Sequence, residues 1–137
     1  ISWKPDLIIS SYHGIPKKYF DKGDPYHCYC HKTSRLIKES YDSIDIQTTF
    51  QSRFGPQEWL TPYTDKTLEN LPSKGIKNLL VICPGFASDC VETLEEIDIQ
   101  GRNSFLKNGG KNFDLIPCLN DNSDHIELFE KLVKKYI

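Results

Sequence analysis

Four short apolar runs, Leu7 to Ser11, Ile44 to Phe50, Leu79 to Cys83 and Phe113 to Ile116, are each followed by a segment whose apolar residues recur at helical spacing. The helical segments run from Tyr26 to Tyr41, Asp65 to Leu71, Asp89 to about Lys107 and Ser123 to Tyr136, with Gly75 and the Gly109-Gly110 pair as stops. Such a βαβαβαβα alternation predicts an α/β fold in which a four-stranded parallel sheet is covered by helices on both faces. No repeat or low-complexity linker divides the chain, so its 137 residues, 38% of them apolar, are expected to form one domain with its own core.

The longest irregular stretches, Tyr12 to Pro25 and Gln51 to Thr64, and the short turn Pro84-Gly85-Phe86 all follow strands rather than helices. All three therefore fall on the carboxyl edge of the sheet, where open α/β folds bind their ligands, and they are expected to line one cleft. His13 ends the first apolar run and is delivered to that edge, which makes it the leading candidate for chemistry.

The net charge of −2 and the scattered Lys and Arg residues give no reason to expect a nucleic-acid partner. No stretch of about 18 apolar residues and no basic-then-apolar leader is present, so a cytoplasmic setting is expected. The five cysteines, Cys28, Cys30, Cys83, Cys90 and Cys118, are odd in number and irregularly spaced, as thiols in a reducing compartment are. Methionine is absent, and the chain opens almost directly on a strand, so it reads as a piece of something longer.

Asp89, Glu92, Glu96 and Gln100 recur at steps of three and four and would share one face of the third long helix. Two readings stand: a solvated side of an amphipathic helix, with Asp89 and Glu92 as a capping box, or a row of oxygen ligands for a divalent cation, joined by His13. The loop containing Phe54, Trp59 and Tyr63 either seals the core edge or walls a flat apolar ligand. The cluster His27-Cys28-Tyr29-Cys30-His31 lies within a predicted helix, where neighbours diverge, and lacks the second ligand pair of a zinc site. His125, in the first turn of the last helix, is expected to have an ordinary surface role.

Read together, SYHGIP, TFQSRFGPQEWLTPYTD and CPGFASDCVETLEEI closely resemble the signature segments of ferrochelatases, the terminal enzymes of haem biosynthesis. The resemblance covers essentially the whole chain, in the family's order and with similar intervals. It implies a Rossmann-like, chelatase-like domain forming the carboxyl-terminal half of a bacterial-type protoporphyrin ferrochelatase. The amino-terminal half would be absent, a partner in itself and the route for any peripheral membrane contact. It further implies that His13 and Glu92 are the catalytic pair for ferrous-ion binding and porphyrin deprotonation, that Glu96 joins them in handling metal, and that Trp59, Tyr12 and Phe86 face the porphyrin. Gln100 stands where the family places a further carboxylate. Cys90 stands where many members have a histidine two residues before the glutamate.

Iron is a substrate in this scheme, not a resident cofactor. The carboxyl-terminal cysteines that bind a [2Fe-2S] cluster in some ferrochelatases have no counterpart before Ile137, so no cluster is expected. The rivals are a related chelatase acting on coproporphyrin or inserting cobalt, and a noncatalytic metal or tetrapyrrole carrier. A nucleotide-binding module is disfavoured because no strand-to-helix turn carries G-x-G-x-x-G.

Overall fold

In the computed structural model, which describes residues 1–41 and 43–137, four strands form one parallel sheet in the order β2-β1-β3-β4. They are β1 (Leu7–His13), β2 (Ile46–Gln51), β3 (Asn78–Ile82) and β4 (Asn112–Leu115). β1 is central and buried along all but its last residue, so both its faces must be satisfied. Its apolar first half does this by packing, and its polar second half by hydrogen bonds. Ser10 Oγ donates to the Tyr12 hydroxyl at 3.1 Å, that hydroxyl lies 3.1 Å from Ser34 Oγ, and Ser11 Oγ donates to Gln51 Oε1 at 2.7 Å.

The chain leaves β1 for β2 on one side, then crosses over to β3 on the other. The crossover direction thus reverses at β1, and the carboxyl ends of β1 and β3 flank the crevice where ligands of open α/β sheets bind. His13 is the last residue of β1, and the Phe86 loop follows β3.

On one face of the sheet Ile9, Leu79, Val81 and Phe113 pack with Leu68, Leu71, Ile97 and Phe105. These come from α3 (Thr64–Asn70), the Leu71 that follows it, and the helical stretch between β3 and β4. A smaller cluster of Tyr12, Phe50 and Leu60 packs with Cys30 of α2 (Tyr26–Ser40) on the other side.

The alternation predicted from the sequence holds, and four details differ. Within the stretch expected to be irregular, Lys17–Asp21 forms a short helix, α1, closed by the Lys17–Asp21 ion pair at 2.6 Å. The third long helix is composite: α4 (Val91–Thr93), a π-helical segment (Leu94–Gly101) and α5 (Arg102–Lys107). Its start is capped by Cys90 and Thr93 rather than by Asp89 and Glu92, the Cys90 backbone N–H donating to Thr93 Oγ1 at 3.0 Å. In the last helix, α6 (Ser123–Val133), His125 is buried rather than at the surface, its Nδ1 lying 2.7 Å from the Asn120 carbonyl and its ring 4.4 Å from that of Phe129.

Candidate active site

β1 ends on a half-buried His13, beside which the chain must turn under the β2 loop. Gly14 permits the turn: its N–H donates to the Gln51 carbonyl at 2.7 Å, and a Cβ there would stand 3.0 Å from that oxygen and 3.3 Å from the Trp59 ring. The Gly14 carbonyl in turn lies 2.7 Å from His13 Nδ1. A carbonyl can only accept, so Nδ1 carries the proton of the neutral ring, and the Nε2 lone pair is left for another partner.

Glu92 lies in the first turn of the helical stretch after β3. Its carboxyl is held below the usual carboxylate range by its own backbone N–H first, then by the Cys90 thiol and the nearby His13. His13 ends β1 and Glu92 opens the helical stretch after β3, so both stand on the carboxyl rim of the sheet.

Glu96 begins the next step along the same stretch, inside the π segment. A π turn holds more residues than an α turn, so steps of four from Glu92 to Glu96 to Gln100 stay close to one line. The Glu96 carboxylate is already engaged: it accepts from the Ser52 backbone N–H at 2.7 Å and from the Ser52 hydroxyl at 2.5 Å. Asp89 leaves the row altogether. It accepts from Asn120 Nδ2 at 2.9 Å, Thr93 Oγ1 at 3.1 Å and the Cys118 N–H at 3.2 Å, bonds that hold its carboxyl below the ordinary range, the Asn120 amide foremost.

Among the described residues no three His, Cys, Asp or Glu side chains gather closely enough to hold a metal ion, so His13, Glu92 and Glu96 do not form a closed three-ligand site. Beyond Glu96, a cavity of about 320 Å³ opens between the π segment and α3, lined by Ser52, Arg53, Asp65, Glu96, Gln100 and Ser104. Arg53 reaches Asp65 through two nitrogens, at 2.5 and 2.8 Å.

The expected porphyrin-facing rings are placed differently from one another. Phe86 is half-buried, its ring 6.4 Å from that of His13. Tyr12 and Trp59 are only 3% and 4% exposed, which corrects the expectation that they offer open ring faces. Alternation along β1 turns Tyr12 toward α2, opposite in sense to its neighbour His13, and Trp59 folds back under the loop, its indole N–H donating to the Phe54 carbonyl at 3.0 Å. Phe54, 73% exposed, is the ring that this loop presents to solvent.

Within the cluster on α2, Cys30 is buried and Cys28 exposed, while His27 and His31, one turn apart, bring their ring centroids to 4.4 Å. Two residues of the site, Gln51 and Ser52, were not singled out from the sequence. The available signal was a polar Gln51 ending an otherwise buried strand beside the candidate histidine, its register partner.

A family model described as Ferrochelatase matches residues 2–137. Curated relatives described as ferrochelatases include those of Rhizobium etli strain CIAT 652 at 55% identity, Agrobacterium fabrum at 53% and Francisella tularensis subsp. novicida at 52%. The matches take in 97 to 98% of this chain but only 40 to 41% of the relatives' length. That share measures extent alone and does not bear out the expected assignment to the carboxyl-terminal half. A solved structure described as a cobalamin (vitamin B12) biosynthesis CbiX protein from Marinobacter aquaeolei VT8 shares the fold, with a TM-score of 0.57 at 14% identity over 96% of this chain and 97% of that one. With residues 2–137 matched and identity above half to its relatives, this chain belongs to the ferrochelatase family.

Proposed function

We propose that the chain carries the proton-accepting and metal-holding side of a tetrapyrrole chelatase, which inserts ferrous iron into protoporphyrin IX to form haem. The observation that supports this reading is His13 at the end of β1, its Nδ1 turned to the Gly14 carbonyl, with Glu92 at the start of the helical stretch on the same carboxyl rim of the sheet. Insertion requires two pyrrole protons to leave the ring and Fe²⁺ to shed water before the four nitrogens close on it. A neutral imidazole can take a pyrrole proton or offer its lone pair to iron, and the adjacent carboxylate stabilises the positive charge in either case. Phe86 beside His13 and the exposed Phe54 supply the aromatic surface for the macrocycle.

The test uses the full-length protein with Zn²⁺ as a surrogate metal and the porphyrin's fluorescence as the signal. The His13→Ala and Glu92→Gln variants are each expected to lower kcat by a factor of about 10² or more, the usual range for removing a general base. Protoporphyrin binding, followed by quenching of the protein's tryptophan emission, is expected to persist. Wild-type turnover in His13→Ala would sink the reading.

A further inference from the structure

We infer that Gln51 is the positioning residue that sets Glu92 and Glu96 against His13, an inference resting on the site reading above. Its side chain is 2% exposed, and its amide makes contacts to three elements at once. Oε1 accepts from the Ser11 hydroxyl of β1 at 2.7 Å, and the Cys83 thiol at the end of β3 lies 3.7 Å from the same oxygen. Nε2 donates to the Glu92 carbonyl at 2.7 Å and reaches Glu96 Oε2 at 3.4 Å. On its own backbone, Gln51 pairs with His13 in the sheet register, and its carbonyl accepts the Gly14 N–H.

The amide thus sits where β1, β2 and the helical stretch meet. The Glu92 carbonyl is two residues ahead of the change from α to π winding, where the carbonyl ladder shifts by one and an outside donor is useful. A planar amide held by Ser11 on one side can aim its N–H at that carbonyl only in a fixed direction. That aim fixes where the Glu92 and Glu96 side chains leave the helix. Without it the helical stretch is still anchored by Ile97 and Phe105 in the core, so the fold is retained while the site loosens. Gln51 touches neither iron nor porphyrin in this scheme.

The experiment compares Gln51→Leu and Gln51→Glu in the full-length protein, with Co²⁺ as the probe. Both replacements are close in size and remove the donor, but only Gln51→Glu adds negative charge beside Glu96. Charge alone would tighten cation binding in Gln51→Glu. Loss of the donor is expected to weaken Co²⁺ binding in both, by about 10-fold to 100-fold, the usual scale for removing an outer partner of a metal ligand. The visible Co²⁺ band should change shape, and KM for metal should rise while KM for porphyrin stays within about twofold. Unchanged Co²⁺ affinity and spectrum in Gln51→Leu, whatever its melting temperature, would overturn the proposal, as would tighter binding in Gln51→Glu with none lost in Gln51→Leu. The Glu variant, which keeps the acceptor for Ser11, remains decisive if Gln51→Leu fails to fold. His13→Ala in the same series separates the two claims: wild-type Co²⁺ binding there rejects the site reading, whereas loss there with retention in both Gln51 variants rejects the positioning role alone.

Discussion

At the scale of single residues, carboxylates that look alike in the sequence divide by what reaches them. Glu92 draws first on its own backbone N–H, Glu96 is clasped by Ser52, and Asp89 is turned to the Cys118–Asn120 loop. Asp89 is therefore a structural acid, and its depressed pKa fixes the sign of a pH effect. Its stabilising contribution is fully present above the unfolded value of about 3.9 and is lost as pH falls through the lower folded value. Replacing it by asparagine sets one amide against another at Asn120 and is expected to cost about 1–2 kcal/mol at pH 7. Urea unfolding of Asp89→Asn and wild type should show that gap narrowing below about pH 4. A gap of equal size at pH 7 and pH 3 would show that the carboxylate's charge is irrelevant.

At the scale of elements, apolar periodicity was enough to read the sheet and most of the helices, because it reports which face is buried. Winding is another matter. Leu94, Ile97 and Gly101 satisfy an α pattern as well as a π one, since one extra residue per turn blurs within so short a stretch. α1 escaped because no apolar stripe marks it: none of its five residues is buried. The burial of Tyr12 escaped, and that of Trp59 was only one of two readings, because aromatics beside a candidate histidine look alike whether they face ligand or core. Ser34 and the Phe54 carbonyl, which take their polar ends, are distant in sequence or unremarkable in it. The places of His13 and Glu92 along the chain's strands and helices were legible because strand ends and helix starts dictate position directly. The turn from α5 into β4 offers a test of how tightly the composite helix is seated. A Cβ at Gly110 would fall 2.2 Å from Phe105 Cε1, and that ring is fully buried against Phe113. Gly110→Ala is thus expected to destabilise the protein by about 3 kcal/mol, at the upper end of overpacking costs, although alanine is the more rigid residue in the unfolded chain. Combining it with Phe105→Leu should recover part of that loss, so that the two changes are less than additive. A melting temperature for Gly110→Ala equal to wild type would mean the helix shifts freely on the sheet.

At the scale of the whole molecule, apolar surface is unevenly covered. α6 buries only His125 and leaves Ile126, Leu128, Phe129, Leu132 and Val133 between 42% and 57% exposed. A second apolar surface, a groove of about 350 Å³, is lined by Ile8, Ile37, Ile44, Leu80, Ile82 and Ile116 on the sheet face away from the main core. A parallel sheet normally has both faces covered, and a soluble monomer rarely leaves such patches bare. The chain spans 40 to 41% of the length of its curated relatives, so further polypeptide is the natural cover for these surfaces. Expressed alone, residues 1–137 are expected to bind an apolar fluorescent dye strongly, to associate reversibly at micromolar concentration, and to insert metal weakly or not at all. The pair Phe129→Glu and Leu132→Glu should lower association without restoring insertion, because it removes the adhesive face but supplies no opposing wall for the porphyrin. Full-length protein should bind far less dye per mole. Sedimentation velocity and dye titration decide the matter: an isolated chain that stays monomeric and dark while inserting Zn²⁺ at the full-length rate would show that the site needs nothing beyond these residues.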